Sequence, residues 1–162
     1  MRLDRTRMLK MCQMKNNIYQ EKRLLHVKGD PLAHVLVIVE DRFRPLGFRV
    51  VEYLAFWILF KFRPERAEKI TLGMNQLRAD RWIEYLQSDS RMPGIIKLIL
   101  AGESLNESAN ATRWFLDKCK FKKTDGNSIS AFYTGRQNAY YDRLVKDGLE
   151  FANSIRSSAK SH

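Results

Sequence analysis

Cysteine and histidine are scarce in this chain, at 2 and 3 among 162 residues. Two cysteines exclude a disulfide framework, and neither CxxC nor paired His/Cys spacing offers a zinc site. His26 and His34 lie far apart and His162 is terminal, so none is framed as a ligand or a base. No metal or organic cofactor is implied. No uninterrupted apolar stretch reaches the ~18–20 residues of a membrane span. The longest, residues 50–60, carries Glu52 and is followed by Lys61 and Arg63; it reads as a buried helix. Internal repeats, low-complexity tracts and alternating strand patterns are all missing. Residues 1–20 interleave charges and lack the apolar core of a secretory signal. The expectation is a chain that stays where it is made, travels by another route, or has lost its leader. Cys12 and Cys119 are then expected to be free thiols in a reducing compartment.

What the sequence does contain is apolar mass and positive charge. Hydrophobic residues make up 44% and aromatics 11%, too much for a disordered basic tail and enough for one domain with its own core. Lys and Arg number 29 against 18 Asp and Glu, a net charge of +11. Residues 1–28 hold eight of the basic residues against two acids, Asp4 and Glu21, so more than half the excess sits in an N-terminal arm. Such a charge attracts polyanions without choosing among nucleic acid, anionic lipid and acidic wall polymer.

Nearly every segment reads as helix, which predicts a mainly α domain over 29–156 between the basic arm and a flexible tail at 157–162. Asp30 is placed to cap a helix that Pro31 opens, and residues 32–39 are apolar nearly all round, as in a central, buried helix. Pro45 and Gly47 break it before a second apolar helix, 48–60, and Arg63-Pro64 opens a polar linker to Lys69. A third helix is expected from Gly73 to Leu86, with Leu77, Ile83 and Leu86 inward. A short apolar helix ends at Gly102, and Asn106 is the expected cap of a helix over 107–119. A basic turn spans 120–127. A short helix at 128–133 and an amphipathic one at 139–155 follow.

Three features carry chemistry. The first is Glu40, at the end of a strongly apolar helix. Burial against apolar walls disfavours an ionised carboxylate, so a glutamate there suits a general acid for glycosidic cleavage. The alternative is that Glu40 or Asp41 pairs with Arg42, Arg44 or Arg49 at a helix end. The second is Gly73-Met74-Asn75-Gln76, where Gly73 allows close backbone approach and Gln76 can hydrogen-bond a sugar amide or hydroxyl. A plain glycine-containing helix entry would read the same way. The third is Tyr133-Thr134-Gly135 with Tyr140 and Tyr141, whose rings suit sugar faces and protein cores equally.

In this order, the features resemble the lysozyme-like lytic transglycosylases. That family carries a catalytic Glu followed by Ser, a Gly-Leu-Met-Gln stretch, and a late Ala-Tyr-Asn-x-Gly motif. Glu40-Asp41, Gly73-Met74-Asn75-Gln76 and Tyr133-Thr134-Gly135 stand at those places, with an Asn-containing helix at Asn110 between them. The resemblance covers about residues 31–146. Asp41 stands where the family has Ser, Asn75 interrupts the Leu-Met-Gln order, and Thr134 stands for Asn. Residues 38–43 are also similar to the Glu-Asp-x-x-Phe signature of peptidoglycan glycosyltransferases, although Arg44-Pro45-Leu46-Gly47 replaces their His-Gly-x-Asp run.

The resemblance implies a lysozyme-like fold that cuts the β-1,4 bond between N-acetylmuramic acid and N-acetylglucosamine of peptidoglycan. It makes Glu40 the acid/base, and Gly73, Gln76, Tyr133, Thr134 and Tyr140 the substrate-binding residues. Glu52 is the candidate second carboxylate, with Asp41 and Asp80 behind it; two-carboxylate glycosidases need such a partner. The family manages with one, so hydrolase and transglycosylase remain open. The partners implied are glycan strands and anionic wall polymers, met in the periplasm or outside the cell after delivery. The reading from a different class is a basic helical module that binds nucleic-acid phosphates with steep salt dependence. A further one is a partner-binding helical domain with Phe56, Trp57 and Phe60 at its interface.

Overall fold

Asp30 opens the first helix. Its Oδ1 accepts the Leu32 N–H at 3.1 Å, and Pro31 at the first helical position has no N–H to satisfy. In the computed structural model the described residues are 22–23, 29–44, 46–86, 94–121, 128–135 and 137–160. The N-terminal arm apart from Lys22 and Arg23, Cys12, Pro45, most of the expected basic turn and the last two residues lie outside them. Among the described residues the chain is mainly helical, with α1 (Pro31–Phe43), α2 (Leu46–Phe62), α3 (Pro64–Ala67), α4 (Ala79–Leu86), α5 (Ile95–Gly102), α6 (Leu105–Lys118), α7 (Ile129–Thr134) and α8 (Ala139–Lys160). Strands β1 (Thr71–Leu72) and β2 (Leu77–Arg78) pair antiparallel, Thr71 opposite Arg78 and Leu72 opposite Leu77. No helix among the described residues is long and apolar enough to cross a membrane.

The chain divides into two compact units, residues 36–121 and residues 1–35 with 122–162. In the first, α2 packs on α3 and β1, while α4 packs on both strands, α5 and α6. The core is drawn from Tyr53 and Phe56 of α2, Leu72 and Leu77 of the hairpin, Trp82 of α4, Leu98 of α5 and Leu116 of α6. Hydrogen bonds from two side chains lock the hairpin into it. The Trp82 indole donates to the Leu72 carbonyl at 3.2 Å. The fully buried Asn75 amide donates to Ser108 O at 3.0 Å and to Thr112 Oγ1 at 3.1 Å. In the second unit α7 packs on α8, and Tyr141, Leu144, Val145, Leu149 and Ala152 of α8 are buried.

Several expected elements differ. The helix expected from Gly73 to Leu86 is a hairpin followed by a short helix. Gly73 and Gln76 both take left-handed backbone angles, φ +75° and +51°, which interrupt an α-helix and turn the chain between two strands. Leu77 is buried as expected, but Ile83 and Leu86 are only half-buried and Trp82 takes the interior instead. Residues 64–67 are helical where a linker was expected, Pro64 supplying a ready first position. Ser104, not Asn106, caps α6, accepting the Glu107 N–H at 3.4 Å in a Ser-x-x-Glu arrangement. The last helix continues to Lys160, so residues 157–160, expected in the tail, are helical. α1 is buried on all sides from Ala33 to Glu40, as its apolar run predicts. α2 is not: Val50, Val51, Leu54, Trp57 and Ile58 are exposed, contrary to the buried helix expected at 50–60.

Asn75→Ala removes the side chain that satisfies two buried groups. It is expected to lower unfolding free energy by about 2 kcal/mol in urea titration. Asn110→Ala, exposed on α6, is expected to change it by less than about 0.5 kcal/mol.

Candidate functional site

α2 is the element that organises the polar side chains of the 36–121 unit. Arg49, Glu52, Tyr53 and Phe56 recur at helical spacing and face inward or partly inward, so one stripe of an otherwise apolar helix carries both charges. Arg49 is buried. Its Nε and Nη2 donate to the two carboxylate oxygens of Glu103 at 3.0 and 2.9 Å. Its Nη1 donates to Asp41 and, at 3.0 Å, to the Arg44 carbonyl. Burial alone lowers the affinity of a guanidinium for its proton. The hydrogen bonds to Glu103 and Asp41 and the charges of both outweigh it, and Arg49 is held above the ordinary arginine value.

One turn further on, the Tyr53 hydroxyl donates to Glu103 Oε1 at 3.1 Å. Desolvation first, then the negative charge of Glu103 and this hydrogen bond, push the phenol's pKa well up. The hydroxyl also lies against Gly102, where an added Cβ would collide with it. Glu52, on the neighbouring position of the stripe, accepts from Arg44 with Oε1 and from the Gln76 amide with Oε2, the latter at 3.2 Å. Gln76 is held further: its amide donates to Gly73 O at 2.9 Å, and its carbonyl oxygen accepts from the Thr71 hydroxyl at 3.0 Å. The turn itself is anchored by Met74 N–H donating to Gly102 O at 2.8 Å.

Glu40 ends the buried stretch of α1 at 9% exposure, directly after Val37, Ile38 and Val39. Its carbonyl accepts the Arg44 N–H at 3.2 Å, so the residue whose guanidinium holds Glu52 sits one helical turn beyond Glu40. Of the expected ion pairs at this helix end, Asp41 with Arg49 is formed. Asp80 pairs with Arg78 at 2.7 Å and accepts the Arg81 N–H at 2.8 Å at the start of α4. Thus Glu52, Gly73 and Gln76 are brought together directly, with Glu40 on the adjoining turn of α1.

Tyr133, Thr134 and Tyr140 belong to the other unit. Tyr133 and Tyr140 are half-buried, and the Thr134 side chain lies outside the described residues. Gly135 closes α7 in the left-handed conformation at φ +74°, the usual helix stop. Beyond it, Asn138 Oδ1 accepts the N–H groups of Tyr140 and Tyr141 at 3.1 and 3.2 Å. Asp142 receives Ser130 N–H at 2.8 Å and the Ser128 and Ser130 hydroxyls at 2.7 and 3.0 Å. The Tyr-Thr-Gly segment is therefore a helix–turn–helix corner built on interlocked caps.

The residues that sequence reasoning missed are Tyr53 and Glu103. A signal existed: Arg49 interrupts an apolar helix, and a buried guanidinium demands a carboxylate elsewhere in the chain. No cluster of three or more His, Cys, Asp or Glu able to hold a metal occurs among the described residues, and Cys119 is an exposed free thiol. No protein family, curated protein or solved structure matches the chain.

Arg49→Met leaves Glu103 and Asp41 without their cation. It is expected to cost about 3–4 kcal/mol in urea unfolding, with Arg49→Lys recovering only part because one ammonium cannot serve both oxygens of Glu103. Tyr53 gives a pH dependence. The folded state holds its proton more tightly than the unfolded chain. Its contribution to stability is therefore complete below about pH 10 and lost as pH rises toward the folded value. Stability measured from about pH 10 to 11.5 should fall less steeply in Tyr53→Phe than in the parent.

Proposed function

We propose that the chain cleaves the β-1,4 glycosidic bond between N-acetylmuramic acid and N-acetylglucosamine in peptidoglycan, on a lysozyme-like helical scaffold, with Glu40 as general acid and then base. The observation that carries this reading is the linkage from Glu40 to Gln76. Arg44, one turn after Glu40, binds Glu52, and Glu52 accepts from the Gln76 amide at 3.2 Å. A buried carboxyl and an oriented amide, on elements joined by hydrogen bonds, are the minimum a single-carboxylate glycosidase requires. The order in which they occur along the chain matches the resemblance to lytic transglycosylases.

Burial of a carboxyl works toward its protonated form, the state a general acid needs before it meets substrate, and Glu40 is buried. Glu40 then delivers its proton to the bridging oxygen as the bond to the muramoyl anomeric carbon breaks. The resulting base accepts a proton from the nucleophile that quenches the oxocarbenium-like centre. That nucleophile is water in a hydrolase, or the muramoyl 6-hydroxyl in a transglycosylase. Glu52 has both oxygens engaged by Arg44 and Gln76, which suits it to hold Gln76 in place rather than to attack. With its two N–H groups given to Glu52 and Gly73, Gln76 keeps one carbonyl lone pair for an acetamido N–H. No metal or organic cofactor takes part, and the excess of basic residues adds attraction for anionic wall polymers.

Purified peptidoglycan digested with the parent chain should release soluble muropeptides. Glu40→Gln should lower the rate by roughly 10²–10⁴-fold, the ordinary contribution of a general acid. The product masses identify the nucleophile, since an anhydro end is lighter than a reducing end by one water. A Glu40→Gln chain as fast as the parent ends the proposal.

A further inference from the structure

The outward face of α2 is apolar where a surface helix should be polar. Val51, Leu54, Trp57, Ile58 and Phe62 are 62%, 54%, 56%, 51% and 72% exposed. Together with Val50 they recur at the three- and four-residue spacing of one helix face, opposite the inward Arg49, Tyr53 and Phe56. Contiguous apolar patches beyond roughly a few hundred Å² are uncommon on soluble monomers and mark sites of association. The exposed charge along α2 and at its two ends is positive, and the acids Glu65 and Glu68 follow only on α3 and at its end, interspersed with Arg66 and Lys69. Between Phe43 and Arg63 the exposed charged side chains are Arg44, Lys61 and Arg63, all positive. Glu52, the only acid in that stretch, is turned partly inward onto Arg44 and Gln76.

We infer that this face of α2 docks onto the surface of an anionic phospholipid bilayer, the helix lying flat with its outward side chains in the acyl–headgroup boundary. An exposed indole among aliphatic and phenyl side chains, with cations at both ends of the helix, is the composition that such an interface selects. The Lys61 ammonium lies over the exposed Phe62 ring, 5.8 Å from its centroid, so a positive charge and an apolar ring stand side by side at the end of this face, the pairing that a headgroup–acyl boundary accommodates. The helix cannot instead span. At ~1.5 Å per residue its 17 residues cover about 25 Å, short of the ~30 Å hydrocarbon layer. Its other face is bound to Glu103, Asp41 and Gln76. Charge also argues against a second copy as occupant. Pairing two of these faces, parallel or antiparallel, sets arginine and lysine against one another at both ends. An anionic surface turns the same side chains into attractions, each worth about 1 kcal/mol near the headgroups. This inference is independent of the glycan-cleavage reading.

The experiment is co-sedimentation of the full chain with vesicles of phosphatidylcholine, with and without phosphatidylglycerol, alongside tryptophan emission. The parent is expected to bind the phosphatidylglycerol vesicles, with a blue shift that Trp57→Phe removes while binding persists, because Trp82 is fully buried and Trp114, half-buried on α6, packs against Tyr85 and Lys118 of the protein itself. Brominated acyl chains should quench the parent's emission, a readout that needs no variant. Leu54→Ser/Ile58→Ser changes only exposed positions and, with an unchanged circular dichroism spectrum, should weaken partitioning roughly tenfold or more. Undiminished binding by that variant would mean that basic residues elsewhere hold the vesicle, and overturns the inference. So does a parent that ignores the vesicles, or one that is dimeric in solution and made monomeric by the double substitution.

Discussion

A guanidinium enclosed in an apolar helix has to be neutralised where it stands, and Arg49 sets the arrangement of the 36–121 unit by that requirement. Its fork takes both oxygens of Glu103 and reaches Asp41 and the Arg44 carbonyl. The end of α1, the first turn of α2 and the turn after α5 must therefore meet at one point. Losing any of the three would strand a charge away from water, at a cost of several kcal/mol that no apolar contact there offsets. Tyr53 shares Glu103 from the next turn of the same helix. Glu52 extends the line toward Arg44 and Gln76. The polar geometry from which the glycosidase proposal is drawn rests on this anchor.

α2 shows how far local sequence could be read. Its helical state follows from a mostly apolar run between Pro45 and Pro64, and so does the burial of Tyr53 and Phe56. What could not be read is which of its two apolar sides faces the interior, because hydrophobic periodicity is uninformative on a helix that is apolar all round. The charged residues held the answer. Arg49 and Glu52 mark the inward side, an inversion of the usual rule that arises when carboxylate, amide and phenol partners wait there. α1 was easier, since a helix buried on all sides needs no facing. At residues 73–86 the misreading came from treating Gly73 as a helix start. A left-handed glycine followed three residues later by a left-handed glutamine makes a turn, and the strands it joins are too short for alternation to register. The cap at Ser104 was legible as Ser-x-x-Glu.

For the candidate site, spacing identified Glu52, Gly73 and Gln76, which the fold brings into mutual contact. It did not find Glu103, whose role arises only when α5 carries it to Arg49. The expected pairing of a carboxylate at the end of α1 with a nearby arginine is met by Asp41. Residues one position apart on a helix point about 100° apart, so Asp41 can reach Arg49 while Glu40, its neighbour, is directed elsewhere and buried. The proposed acid and the ion pair are neighbours in sequence that occupy different environments.

The crossing of Gly73 and Gly102 has a consequence for how this chain can change over generations. A methyl group built on Gly73 would come within 2.8 Å of the Gly102 backbone, and one on Gly102 would strike the Tyr53 hydroxyl. Neither position tolerates even alanine while the other strand of backbone stays where it is. Relatives of this chain that carry a side chain at either place must have drawn the two segments apart, and with them the amide of Met74 from the carbonyl it binds. The pair of glycines is thus one steric unit, although nearly a fifth of the polypeptide separates them.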